Sequence, residues 1–103
     1  MLGPDFSVIL PTRNRAGQLS GALAHLARQE TGGAFTYEVV VIDNGSTDDT
    51  RATVERVAAG YPVPLVYVYE SRAGKPQALN AGMQAATGSL FAFLDDDVEP
   101  VSG

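Results

Sequence analysis

The chain has 103 residues, 45% hydrophobic and 18% charged, which is enough for one domain around one modest core and argues against disorder, collagen-like sequence or a coiled coil. Twelve acidic residues against seven basic ones give a net charge of −5, with no lysine or arginine run to follow a phosphate backbone, so no nucleic-acid partner is expected. Cysteine is absent, which excludes disulfides, zinc–thiolate sites and thiol catalysis and leaves oxygen ligands or the single histidine to hold any metal.

The start, Met1-Leu2-Gly3-Pro4-Asp5, has neither a basic region nor a long apolar stretch, and no signal peptide is expected. No segment approaches the ~20 apolar residues that span a bilayer. The expected location is cytoplasmic, or the cytoplasmic face of a membrane if a further segment carries an anchor. Phe6-Ser7-Val8-Ile9-Leu10 reads as a first strand ended by Pro11, which cannot donate to a ladder. Asn14 is placed to cap a helix in which Leu19, Ala22, Leu23, Leu26 and Ala27 recur at the spacing of one buried stripe, ended by Gly32-Gly33.

Tyr37 to Ile42 is nearly continuous in β-branched residues, the composition of a strand covered on both faces, and it ends at Asp43. After an Asn44-Gly45 turn, Ser46 followed by Asp49 resembles a capping arrangement, and Val54, Val57 and Ala58 supply the buried face of a second helix. Leu65 to Tyr69 is a third strand. Pro76 suits the first position of a third helix, from about Gln77 to Ala86, which Gly88 stops. Leu90 to Leu94 is a fourth strand, and it runs straight into Asp95, Asp96 and Asp97.

Strand alternates with helix throughout, which predicts a Rossmann-like, three-layer α/β/α fold with a mainly parallel sheet of about four strands. Ligands of such sheets bind outside the carboxyl ends of the strands. There Pro11, Thr12, Arg13, Asn14, Asp43 and the three aspartates should converge. Adjacent carboxylates repel, the more so when desolvated, and a cation relieves them. Asp95 and Asp97 point to the same side of an extended segment and can share a divalent metal, with Asp96 facing away; a solvated turn or a helix cap before Val98 is the alternative.

Asp43 either caps the second helix or accepts a ring N–H from a nucleotide base. Uracil, thymine and guanine offer such an N–H at the ring, and cytosine does not. Arg72 and Lys75 flank Gly74 on a loop before a helix, either as a phosphate contact or as a solvated basic loop. Asn80 and Gly82 sit where alanine would favour the helix, which points to close packing or a polar contact. His25 reads as a surface side chain, and Tyr67 and Tyr69 as sheet packing. No G-x-G-x-x-G follows the first strand, which disfavours a dinucleotide-binding dehydrogenase; an aspartate-nucleophile phosphatase would leave the three earlier motifs unexplained.

Four segments, Val8-Ile9-Leu10-Pro11-Thr12-Arg13-Asn14, Val41-Ile42-Asp43-Asn44-Gly45-Ser46-Thr47-Asp48, Gly74-Lys75-Pro76-Gln77-Ala78-Leu79-Asn80-Ala81-Gly82 and Phe93-Leu94-Asp95-Asp96-Asp97, together resemble the N-terminal half of a family 2 glycosyltransferase. The resemblance implies a partial GT-A fold that binds a nucleoside diphosphate sugar, a UDP-sugar being favoured, with Mg²⁺ or Mn²⁺, and transfers the sugar to an unspecified acceptor, usually with inversion. By resemblance, Pro11, Thr12 and Arg13 border the nucleoside and Asp43 meets the base. Arg72 and Lys75 lie near the donor, Asp95 and Asp96 belong to the nucleotide-sugar side, and Asp97 holds the metal. The family's general base and acceptor site follow the aspartates in sequence, and here only Val98 to Gly103 follow them, so the base is expected beyond Gly103. The expectation is therefore of a single nucleotide-sugar-binding domain over residues 1–103 with no catalytic residue of its own and little or no turnover, or else a non-catalytic binding or assembly module. Self-association through the fourth strand is expected if that edge is bare.

Overall fold

The computed structural model describes residues 4–28 and 36–94. Its elements are β1 (Phe6–Thr12), α1 (Ala16–Ala27), β2 (Tyr37–Asp43), α2 (Thr50–Ala58), β3 (Leu65–Tyr69), α3 (Lys75–Ala85) and β4 (Leu90–Phe93). The strands form one parallel sheet in the order β3-β2-β1-β4. The expected alternation of strand and helix and the parallel sheet are both present. Gly32-Gly33, the aspartates 95–97 and the segment from Val98 to Gly103 lie outside the described residues. The metal role expected of Asp97 and the general base expected beyond Gly103 thus have no counterpart among the described residues.

Alternation along the strands divides the core in two. Val8, Leu10, Val39 and Val41 pack with Leu19 and Leu23 of α1 and Val54 of α2 on one face. Ile9, Val40 and Ile42 pack with Ala78 of α3 on the other. β1 and β2 are thus covered on both sides, which is why their sequences are apolar almost without interruption. Helix α3 comes close to the sheet because it carries no side chain at Gly82, where a Cβ would stand 2.6 Å from Ile42 Cδ1. Close packing, and not a polar contact, explains that glycine.

Four local expectations change. β1 does not end at Pro11 but runs to Thr12, whose carbonyl accepts the Asn44 N–H at 2.9 Å. Asn14 does not cap α1, whose N-cap is Arg15, and Ser46 does not cap α2, whose N-cap is Asp49. The Asp48 carboxylate serves both helix starts instead, accepting from the N–H groups of Ala16 and Thr50. Ala58 is exposed, and the buried face of α2 is made by Thr50, Thr53 and Val54.

At the amino end of the sheet Glu38 is 5% exposed, and its Oε2 accepts hydrogen bonds from the Ser7 hydroxyl at 2.6 Å and from the Thr87 N–H at 2.7 Å. Ser7 Oγ in turn accepts the Gly88 N–H at 2.8 Å. Gly88 meets β1 so closely that a Cβ would lie 2.7 Å from the Ser7 nitrogen. This cluster fixes the entry of β4 beside β1. No helix among the described residues is long and apolar enough to cross a membrane.

Candidate functional site

The chain steps outward from β1 to β2 and β3, then returns to lay β4 on the other side of β1. A parallel sheet has its ligand crevice at such a reversal, outside the carboxyl ends of the two strands. Pro11 opens that crevice. Ile9 faces β4, its carbonyl accepting the Leu94 N–H at 3.0 Å, and Thr12 faces β2. Strand groups alternate sides, so position 11 faces β4, where proline has no N–H to continue the ladder.

Register brings the candidate residues together. Thr12 pairs with Asp43, and Asp43 pairs with Tyr69, so three strand ends stand side by side. Thr12 and Asp43 extend the rows that begin with Val8 and Val39, and both are buried, Asp43 to 2% exposure. Pro11 is half-buried and Arg13 exposed. Lys75 is the exposed first residue of α3.

Asp43 does not cap α2. Its Oδ1 accepts the Ser46 N–H at 2.8 Å, and its Oδ2 accepts the Tyr67 hydroxyl at 2.6 Å. Burial, then the hydrogen bond to Asp43, pushes the Tyr67 phenol well above its ordinary range, so it is a standing donor at neutral pH. Tyr67 packs in the sheet as its sequence suggests, but its polar end belongs to this site. The signal for it was geometric: Tyr67 is in register with Val41, and Asp43 is the next residue along that face.

Two asparagines shape the loops around the crevice. Asn14 stands at φ 54, and its Oδ1 accepts the N–H groups of Thr47 at 2.7 Å and Asp48 at 3.2 Å. Asn44 reaches the next loop, donating from Nδ2 to the carbonyls of Glu70 at 3.0 Å and Arg72 at 2.7 Å, while its Oδ1 accepts the Gly74 N–H. Each loop therefore holds the one after it. Asparagine tolerates positive φ and bonds nearby backbone, which was the sequence signal for both roles.

Arg72 is 70% exposed, and its guanidinium forks onto Glu70 through Nε at 2.9 Å and Nη2 at 3.0 Å. That bond, ahead of the Arg72 backbone N–H, holds the Glu70 carboxyl down at about 2. Asp48 is likewise held below the usual carboxylate range, first by the Thr50 hydroxyl. Among the described residues no group of three carboxylate or histidine side chains could hold a metal ion.

Residues 7–102 match the sequence profile of the family described as Glycosyl transferase family 2. Glycosyltransferase AglE of Haloferax volcanii is 33% identical over 97 residues, which are 94% of this chain and 32% of that protein. Among solved structures, mannosyltransferase PcManGT of Pyrobaculum calidifontis, in complex with GDP-Man and Mn²⁺, superposes with a TM-score of 0.86 at 35% identity, covering 99% of this chain and 30% of that one. S. aureus TarS 1-349 in complex with UDP gives 0.77 at 33% identity, covering 89% and 27%. The chain thus spans between about a quarter and a third of the length of these three proteins.

Proposed function

Because the chain belongs to glycosyl transferase family 2 and shares its GT-A architecture, we propose that the carboxyl edge of its sheet binds a nucleoside diphosphate sugar with a divalent cation, for transfer of the sugar to an acceptor with inversion. One observation carries the reading. Asp43, buried beside the β1–β4 reversal and in register with Thr12, is held among the described residues by the Ser46 N–H and the Tyr67 hydroxyl, an acceptor at the strand end where a base N–H would arrive. Pro11, Thr12 and Arg13 border the nucleoside and Asp43 takes the base. Lys75 stands beside the diphosphate. Arg72 joins it there only by exchanging Glu70 for a phosphate oxygen.

Asp95, Asp96 and Asp97 form an all-oxygen donor set, which suits Mg²⁺ or Mn²⁺. In this reading Asp97 holds the metal and Asp95 faces the nucleoside. Such a cation neutralises the charge that grows on a departing diphosphate. A general base that takes the proton of the acceptor hydroxyl completes such a transfer. The complexes of the solved neighbours with GDP-Man and Mn²⁺ and with UDP support the ligand class.

Calorimetric titration with UDP, GDP and dTDP, with and without Mn²⁺, tests the reading on this chain and on Asp97→Ala. Metal-dependent binding that Asp97→Ala abolishes is the expected result. A chain that binds none of the three refutes it. It would leave the second reading, an assembly module, which the edge strand favours: Leu90 is 58% and Phe93 52% exposed.

A further inference from the structure

We propose that Tyr67 is a positioning residue for base recognition, its hydroxyl pinning the Asp43 carboxylate so that it accepts a ring N–H and cannot turn to follow an exocyclic amino group. The inference rests on Asp43 as the base acceptor. Both carboxylate oxygens are tied, Oδ1 to the Ser46 N–H and Oδ2 to the Tyr67 hydroxyl. Rotation about Cβ–Cγ breaks these bonds at a side chain that is 2% exposed, where water does not replace them. Each oxygen keeps a second lone pair, and its direction is set by the protein.

The donor is itself held. Tyr67 packs against the core formed with α1 and α2, which places the ring; the exposed Arg51 guanidinium, 5.7 Å from the ring centroid, adds little to that placement. The raised phenol keeps its proton across the working pH range, so the hydroxyl donates and never competes as an anion. Uracil and guanine present a ring N–H to a fixed acceptor. Cytosine and adenine present a ring lone pair with an amino group beside it, and a carboxylate free to turn would accept from that amino group. A pinned one meets the lone pair and repels it.

The test is calorimetric titration of UDP, GDP and CDP, each with Mn²⁺, into the wild-type chain and Tyr67→Phe. The wild type should prefer UDP or GDP to CDP, and Tyr67→Phe should lose ~10-fold or more of that preference, the lower end for one hydrogen bond to a charged group. A purely structural role weakens all three nucleotides alike, so an unchanged ratio overturns the proposal. Arg51→Gln removes the cation over the ring and leaves the hydroxyl; it should keep the ratio, and its loss there overturns the proposal by assigning the effect to ring placement. A wild type that binds without base preference removes Asp43 as the base acceptor, a failure visible before any variant is made. Should Tyr67→Phe not fold, the Tyr67 hydroxyl proton resonance of the wild type decides. It should shift with UDP and not with CDP, and no shift with UDP overturns the proposal.

Discussion

Gly82→Ala sets two effects of known sign against each other. Alanine is worth about 1 kcal/mol over glycine in a helix interior. The added Cβ, however, would stand 2.6 Å from Ile42 Cδ1 and 2.9 Å from Ile9 Cγ2. Both isoleucines are fully buried, and the Ile9 branch methyl turns only with its stiff χ1. Overpacking of this kind costs about 1–3 kcal/mol. The packing term wins, and the variant should lose about 1 kcal/mol net, roughly 4–8 °C in Tm for a domain of this size. Ile42→Val deletes the nearest atom at a cost of about 0.5–1.5 kcal/mol alone. The double variant should therefore be more stable than the sum of the singles predicts, by about 1 kcal/mol. Urea unfolding of the four chains, followed by far-ultraviolet circular dichroism, closes the cycle. A Gly82→Ala chain as stable as the wild type, or an additive cycle, refutes the claim that the spacing of α3 from the sheet is set by this missing methyl.

Two further outcomes follow from the loops. Glu70 titrates at about 2 in the folded chain against an ordinary 4.5, chiefly through the Arg72 side chain; the unfolded chain takes up the proton first, so this stabilisation is complete above pH 4.5 and is lost as pH falls through about 2. The gap in urea midpoint between wild type and Arg72→Gln should accordingly be present at pH 7 and close by pH 2, and a gap that persists at pH 2 disproves the linkage. Asn14 combines φ 54 with a side chain that holds Thr47 and Asp48. Asn14→Gly loses the hydrogen bonds alone, whereas Asn14→Ala adds about 1 kcal/mol of left-handed backbone cost. Equal unfolding midpoints for the two would show that the conformation is not held in solution.

The order and type of the elements were legible because each strand and helix repeats its own period. Tyr37 to Ile42 reads as a strand buried on both faces, which holds from Val39 onward, and of the stripe Leu19, Ala22, Leu23, Leu26 and Ala27 the three leucines pack in the core. The caps were not legible, because Asn14 and Ser46 have short side chains that satisfy either the following helix or a neighbouring loop. Only the sheet order, which brings residue 14 beside residues 46–48, selects the loop. Tyr67 was hidden for the same reason. Alternation with valine identifies its face but not the carboxylate two positions along the adjacent strand.

The β1–β4 pair is treated differently at its two ends, and the difference bears on where a ligand can enter. At the amino end Ser7, Glu38, Thr87 and Gly88 lock the strands through one shared hydroxyl and one shared carboxylate oxygen. At the carboxyl end the last β1–β4 bond among the described residues is Leu94–Ile9, and the next donor would be the nitrogen of Pro11. Asp95 is the next residue after Leu94. The same proline therefore ends the β1–β4 ladder, among the described residues, on the side of the sheet where parallel folds take their ligands.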